Sequence, residues 1–381
     1  MEHVRTYACI HLDNIKHNLD CIRSVLLPGT KVIAVVKANA YGHGANAVSR
    51  YIEKEVAGFA VSNIVEGIRL RECGIIKPVL ILGYTPPADV AEVVRYNLTQ
   101  AVFGREYALS LSDAAVRAGV NVAAHLKIDS GMTRIGFRAS DKEGAEEALM
   151  MKNIIYSGIF THFSSADGYD EEDKAFTEKQ YEAFIGMVEY LRSRGAKFDT
   201  VHCCNSAAAM KYGSMQCDAI RFGISLYGMT PSCRESCELP LREAMTLKTT
   251  VAYVKQGLPG DAVSYGRTNI LHAPEQLVTV AMGYADGYPR RLSNKGVMYC
   301  NGYEMKVTGR VCMDQIVLRG GGDIKQGDTV EVFGYGTPQS VSAFARMAET
   351  INYEITCGIS ARVPRVYMTD GNEAEFKDTT P

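Results

Sequence analysis

Residues 32–36 are apolar without interruption, and the run stops at Lys37. A short apolar run rich in β-branched side chains and bounded by turn residues predicts a strand buried on both faces. Similar runs recur at residues 59–62, 79–83, 101–103, 125–128, 156–161, 200–203 and 220–223. Between them lie stretches whose apolar residues step by three and four, as at 64–73, 107–118 and 176–193. Another such stretch opens the chain with Leu12, Ile15, Leu19, Ile22 and Leu26, with Asp13 as its cap and Pro28-Gly29 as its stop. Eight strands alternating with helices predict an α/β fold, a (β/α)8 barrel spanning residues 1–240.

A polar stretch at 232–239 that ends at Pro240 reads as a linker. Beyond it the period changes to two. Alternating strands at 247–254, 277–282, 297–300, 304–308, 316–319 and 330–333, with one helix at 342–350, predict a mostly β C-terminal domain over 241–381. The Gly320-Gly321-Gly322 run reads as a flexible turn, because no lysine or helix start follows it as a phosphate-binding loop requires.

Barrels of this kind present reactive side chains at the C-terminal ends of their strands. Here Lys37 follows the first strand, Lys127 and Asp129 close the fifth, and His162 closes the sixth. His202, Asn205 and Ser206 follow the seventh, while Arg221 and Gly223 close the eighth. A lysine at the end of a buried strand either snorkels to water or, kept dry, becomes a neutral nucleophile able to condense with a carbonyl. The loops after strands seven and eight supply the Ser206 hydroxyl and the backbone N–H groups at Gly223-Ile224, a neutral nest for a dianion. An aldehyde-bearing phosphate satisfies both ends, which describes pyridoxal 5′-phosphate.

Composition narrows the partners. Over 381 residues the net charge is −2, with no field of one sign to attract nucleic acid or an anionic membrane. The first thirty residues carry Glu2, Arg5, Asp13, Lys16, Asp20 and Arg23 and no apolar signal region; nowhere do eighteen apolar residues run together. Eleven cysteines is an odd number, and Cys203, Cys204, Cys300 and Cys312 sit inside apolar runs, as reduced thiols of a cytoplasmic protein do. The eight histidines form no pair with metal-ligand spacing, so no metal site is expected.

The strings at residues 36–45 (VKANAYGHGA), 125–136 (HLKIDSGMTRIG), 161–163 (THF), 205–207 (NSA), 220–227 (IRFGISLY), 263–266 (VSYG), 283–287 (GYADG) and 309–315 (GRVCMDQ) resemble those of the alanine racemases. These are pyridoxal-phosphate enzymes of fold type III, and the match runs in order along nearly the whole chain. The resemblance implies interconversion of L- and D-alanine. Lys37 resembles the lysine that carries the cofactor, Tyr41 the tyrosine that reaches its phosphate, and Ser206, Gly223 and Ile224 the phosphate loops, with Asn205 beside them. Arg221 resembles the arginine bonded to the pyridine nitrogen, Tyr265 the second catalytic base, and Met313 a backbone contact to the substrate. Lys127 resembles a lysine that is carbamylated in many members and orients Arg134 toward the substrate carboxylate. His162 is the candidate neighbour that tunes Tyr265, with Arg221 behind it and His202 in support.

The implied assembly is a head-to-tail homodimer in which Tyr265, Tyr284 and Met313 complete the partner's barrel mouth. An arginine cannot give up its proton, so a pyridine nitrogen facing Arg221 stays unprotonated and the ring is a weaker electron sink. That favours prompt return of the Cα proton over transamination. Racemisation needs a base on each face of Cα; Lys37 reaches one, and Tyr265 would serve the other.

One position departs from the family pattern. Within residues 358–365 (GISARVPR), Ala361 stands where members usually carry a tyrosine that contacts the phosphate and narrows the pocket. The alternative reading is therefore a serine or broad-specificity racemase. Fold-type III decarboxylases, which usually face the pyridine nitrogen with an acid, and single-barrel pyridoxal-phosphate binding proteins, which lack a second domain, fit less well.

Overall fold

The computed structural model describes residues 5–232 and 239–374. The chain divides into two compact units, one of residues 19–40 and 48–226, the other of residues up to 18, 41–47 and from 227 onward.

In the first unit eight parallel strands close a barrel. Lys31–Val35 lies between Gly58–Val61 and Ala219–Phe222, and the ring continues through Val79–Ile81, Thr99–Val102, Val122–Asp129, Ile154–Phe160 and Thr200–His202. All eight expected strands are present. The fifth begins at Val122 instead of residue 125, and a register shift between Ala124 and His125 interrupts its pairing with Ile154–Phe160. Helices Ile64–Glu72, Arg105–Ala118 and Glu171–Ser193 follow the expected periodicity. Asn63 and Asp170 cap two of them by accepting the N–H groups of Glu66 and Asp173. Ala60, Ile81, Val102, Leu126 and Ile159 are fully covered, as parallel strands under a helical layer must be.

In the second unit six antiparallel strands close on themselves in the order Met245–Gly257, Glu275–Val280, Ile316–Arg319, Tyr303–Val307, Val297–Cys300 and Thr329–Gly334. The expectation of a barrel from residue 1 is corrected here. Thr6–His11 is a strand of this second sheet, antiparallel to Met245–Gly257 and parallel to Arg365–Thr369. Its inward residues Thr6, Ala8 and Ile10 alternate with half-buried ones. The alternation is masked because it runs straight into the helical pattern at Leu12.

Three smaller features also differ from expectation. Asp13 lies inside the opening helix, which starts at Leu12, and its Oδ2 accepts the Asp370 N–H at 2.5 Å. The helix expected at 342–350 is two, Val341–Met347 and Asn352–Cys357, separated by Glu349 at φ +52°. Residues 233–238 of the expected linker lie outside the described residues. Among the described residues no helix is long and apolar enough to cross a membrane.

Candidate active site

The barrel strand that ends before Lys37 is followed by an unusual turn. Ala38, Asn39, Ala40 and Tyr41 hold φ between 51° and 54°, four consecutive L-residues in the left-handed region. Each such residue costs about 1–2 kcal/mol, so the surroundings must enforce it. Glu66 does part of this. One carboxylate oxygen accepts the Ala38 N–H and the other the Ser62 N–H, both at 2.7 Å, while Ala40 N–H reaches the Val36 carbonyl at 2.9 Å.

Arg221 is buried at the end of the eighth barrel strand and makes five side-chain hydrogen bonds, none to a carboxylate. Nη1 donates to His202 Nδ1 (2.8 Å) and the His202 carbonyl (3.2 Å); Nη2 donates to the Thr161 and Cys203 carbonyls (2.7 and 2.8 Å) and to His162 Nδ1 (3.1 Å). Burial lowers its pKa to about 10, so it stays charged at neutral pH. Because a guanidinium can only donate, both imidazoles accept at Nδ1 and carry their proton on Nε2. His202 Nε2 then donates to His125 Nδ1 at 3.0 Å. Burial first, and the Arg221 charge second, hold His162 and His202 well below the ordinary histidine value and His125 down to about 4. Lys127, Arg134 and Lys37 also act on His162. The Phe160 ring stacks on His202 at 4.9 Å and faces the cations of Lys127 and Arg221 at 5.6 and 5.3 Å.

Lys127 is buried, with Nζ donating to the Ile128 carbonyl at 2.5 Å. Burial, then the Arg221 charge, lowers its pKa to about 7. Arg134 is exposed, on a loop that Asp129 ties down by accepting the Gly131 and Thr133 N–H groups at 3.0 Å each.

Ser206 Oγ is buried and accepts the Gly223 N–H at 2.9 Å, joining the loops after strands seven and eight, and Ile224 is buried beside them. Asn205 serves the fold directly. Its Oδ1 caps the Ser206–Lys211 helix by accepting the Ala208 N–H at 3.0 Å, while Nδ2 reaches the Phe163 carbonyl at 3.4 Å.

The remaining expected residues belong to the second unit. Tyr41 packs against Tyr227 and Tyr353, with ring centroids 5.2 and 6.0 Å away. Tyr265 follows Ser264, whose Oγ donates to the Arg310 carbonyl at 2.5 Å. The loop carrying Tyr284 is tied to the loop carrying Met313: Tyr284 N–H reaches the Cys312 carbonyl at 3.0 Å, and Ala285 N–H the Met313 carbonyl at 3.1 Å. Tyr265, Met313 and Tyr284 are exposed by 69%, 53% and 41%. Ala361 is exposed, in a turn that Arg365 binds through the Ile359, Ser360 and Val363 carbonyls.

Residues 10–231 match the family model described as alanine racemase, N-terminal domain, and residues 244–367 the model described as alanine racemase, C-terminal domain. The chain belongs to the alanine racemase family. Within that family it is 42% identical over 368 residues to the alanine racemase of Carboxydothermus hydrogenoformans, covering 95% of this chain and 99% of that protein. It is 39% identical to alanine racemase 2 of Bacillus subtilis, over 98% of this chain and 96% of that one. The solved alanine racemase of Clostridium difficile 630 superposes with a TM-score of 0.92 at 38% identity, covering 98% of each chain. The Bacillus anthracis enzyme with bound L-Ala-P gives 0.91 at 33% identity, over 98% of this chain and 97% of that one.

Sequence reading missed two residues that brace the candidate site, His125 beside His202 and Glu66 beside Ala38. His125 lies two residues before Lys127 on one strand, so a period of two puts both inside the barrel. Glu66, which props the left-handed turn, carries no sequence signal beyond that of an ordinary helix residue.

Proposed function

We propose that this racemase-family chain interconverts L- and D-alanine on pyridoxal 5′-phosphate. The observation that carries the reading is Arg221. Its five bonds engage both Nη atoms, and among the described residues Nε has no protein acceptor. A ring nitrogen that accepts a hydrogen bond fits that donor, and the neutral hydroxyl and N–H groups at Ser206, Gly223 and Ile224 fit a phosphate. Tyr41 would add a phenol to the phosphate.

Bound through Lys37, the cofactor withdraws electrons from the substrate Cα and acidifies its proton. The Lys37 amine would take or return that proton on one face and the Tyr265 phenol on the other. Arg134 would hold the substrate carboxylate, with Lys127 behind it, and the Met313 backbone of a second copy of the chain would contact the substrate. Arg221 would keep the electron demand mild by donating to the ring nitrogen without protonating it. Neutral His162 and His202 would hold Arg221 in place without competing for its charge.

The exposure of Tyr265, Tyr284 and Met313 supports a homodimer in which these side chains serve a second copy of the chain. Free thiols at Cys203, Cys204 and Cys300 are in keeping with a reducing compartment such as the cytoplasm. A decarboxylase would be expected to offer the ring nitrogen an acid, and Arg221 disfavours it. Incubation of the holoprotein with L-alanine in D₂O is expected to put deuterium at Cα of both enantiomers. Release of CO₂, or no exchange while the cofactor is bound, would overturn the proposal.

A further inference from the structure

Three thiols meet behind Arg221. Cys203 Sγ lies 3.7 Å from Cys217 Sγ and 3.9 Å from Cys204 Sγ, and both Cys203 and Cys204 donate to the Met215 carbonyl, at 2.9 and 3.2 Å. Cys203 and Cys204 have no exposed surface, whereas Cys217 is half-buried and so gives a small oxidant a way in. The same peptide holds the arginine. Arg221 Nη2 donates to the Cys203 carbonyl at 2.8 Å, and the Arg221 N–H donates to the Cys204 carbonyl at 2.9 Å. Two residues further on, Ser206 joins the loop at Gly223.

We propose that Cys203 and Cys217 are a modification site, a thiol pair that a hydroperoxide closes into a reversible disulfide and thereby disconnects Arg221 from its acceptors. A disulfide needs its sulfurs about 2.05 Å apart, so closing the 3.7 Å gap requires both side chains to turn toward each other and strains the backbone at Cys203 and Cys217. Cys217, at φ +50°, already sits in a disfavoured backbone region. Cys203 is therefore pulled toward Cys217, and its carbonyl away from the guanidinium. The chemistry balances. The Cys217 sulfur attacks one peroxide oxygen, giving a sulfenic acid and one water; the Cys203 sulfur then displaces the hydroxyl as a second water. Two thiols lose two electrons and two protons, and the peroxide takes up both. The contact with Cys204 and burial raise the Cys203 pKa, and the contact with Cys203 and burial raise that of Cys217, so the first step is slower than at an activated cysteine.

The effect on catalysis rests on the role proposed for Arg221; formation of the bond does not. The test treats the holoprotein with hydrogen peroxide, alkylates the remaining thiols, and maps peptides without reductant. A linked 203–217 peptide is expected, with weaker retention of the cofactor on dialysis and at least a tenfold loss of Cα exchange with L-alanine, all reversed by dithiothreitol. Cys217→Ser and Cys217→Ala should keep their untreated rate and resist peroxide. The proposal is overturned if no linked peptide forms, if it forms with cofactor retention and exchange unchanged, or if both variants lose activity as the unaltered protein does. Failure of the racemase reading would show separately, as untreated protein that exchanges nothing.

Discussion

The hydrogen bond from Arg221 Nη2 to His162 Nδ1, 3.1 Å long, has only one possible direction, because a guanidinium has no lone pair to offer. It fixes the tautomer of His162, and its counterpart through Nη1 fixes that of His202. Burial and the nearby Arg221 charge add to this by pushing the pKa values of His162, His202 and His125 down. All three rings should be neutral, with no titration near pH 6.5 in nitrogen-detected NMR spectra. For a histidine whose folded pKa is depressed, the unfolded chain binds more protons between the two values. Stability from this cluster is thus present above about pH 6.5 and lost as pH falls toward 4, which acid-unfolding curves would trace. A cluster ring that titrates near its ordinary value contradicts the assignment.

If Tyr265 serves the partner's barrel, two inactive variants should rescue each other. Lys37→Ala removes the amine and Tyr265→Phe the phenol, each expected to lower kcat/KM by about 10² to 10⁴. In a mixed dimer, one of the two sites would join an intact Lys37 to an intact Tyr265. Random reassociation of equal amounts then restores about one quarter of wild-type activity. If the mixture stays as inactive as its components, the two groups do not meet across a subunit boundary.

Lys127 has a pKa lowered to about 7, so near neutral pH a large share of it is uncharged amine, the form that adds CO₂ to give a carbamate and a proton. A carbamate beside Arg134 would turn a repulsive neighbour into an attractive one. Native mass measurement is expected to find one CO₂ per chain, lost on acidification, and bicarbonate should raise the activity of dialysed protein. Neither should occur in Lys127→Arg. Absence of the added mass in unaltered protein would leave Lys127 a simple amine.

How much of this was legible in the sequence differs between the two units. In the barrel, strand and helix alternate with distinct periods, and a polar residue closes several of the apolar runs, so Lys37, His162, Ser206 and Arg221 could be picked out by position. Their interactions could not. The bonds from Arg221 to His202 and from His202 to His125 span 19 and 77 residues, and nothing local encodes them. In the second unit the strands of the six-stranded ring were readable from alternation. Thr6–His11 and Arg365–Thr369 were not, because their pairing joins opposite ends of the chain. The role of Asn205 in capping a short helix likewise depends on a turn that sequence alone does not reveal.

If the resemblance places Ala361 correctly, it would leave room where a tyrosine would otherwise stand. Its turn is tied down by Arg365, which donates to the Ser360 and Val363 carbonyls at 2.7 and 2.6 Å and to the Gly42 carbonyl at 3.0 Å. Without the tyrosine ring the site would be expected to accept L-serine beside L-alanine. Ala361→Tyr should lower the serine-to-alanine ratio of kcat/KM by about tenfold. An unchanged ratio removes this residue from the specificity argument.

Glu243 tests the second unit by a route unrelated to catalysis. Its Oε1 accepts the Val341 N–H at 2.8 Å at the start of the Val341–Met347 helix, and burial raises its pKa to about 7, opposed by the backbone N–H groups of Val341 and Ser342. Because the folded value lies above the unfolded one, the folded chain holds a proton that the unfolded chain has released between about pH 4.5 and 7. Stability therefore falls as pH rises through that window and levels off above it. Glu243→Gln keeps an oxygen to accept the N–H and has no charge to bury. Its stability relative to the unaltered protein should rise across the same window, reaching at most about 3 kcal/mol above pH 7. Denaturant unfolding of both proteins at several pH values measures the difference. A difference that is flat with pH, or that shrinks as pH rises, would mean that Glu243 is charged in the folded protein and held by its N–H partners.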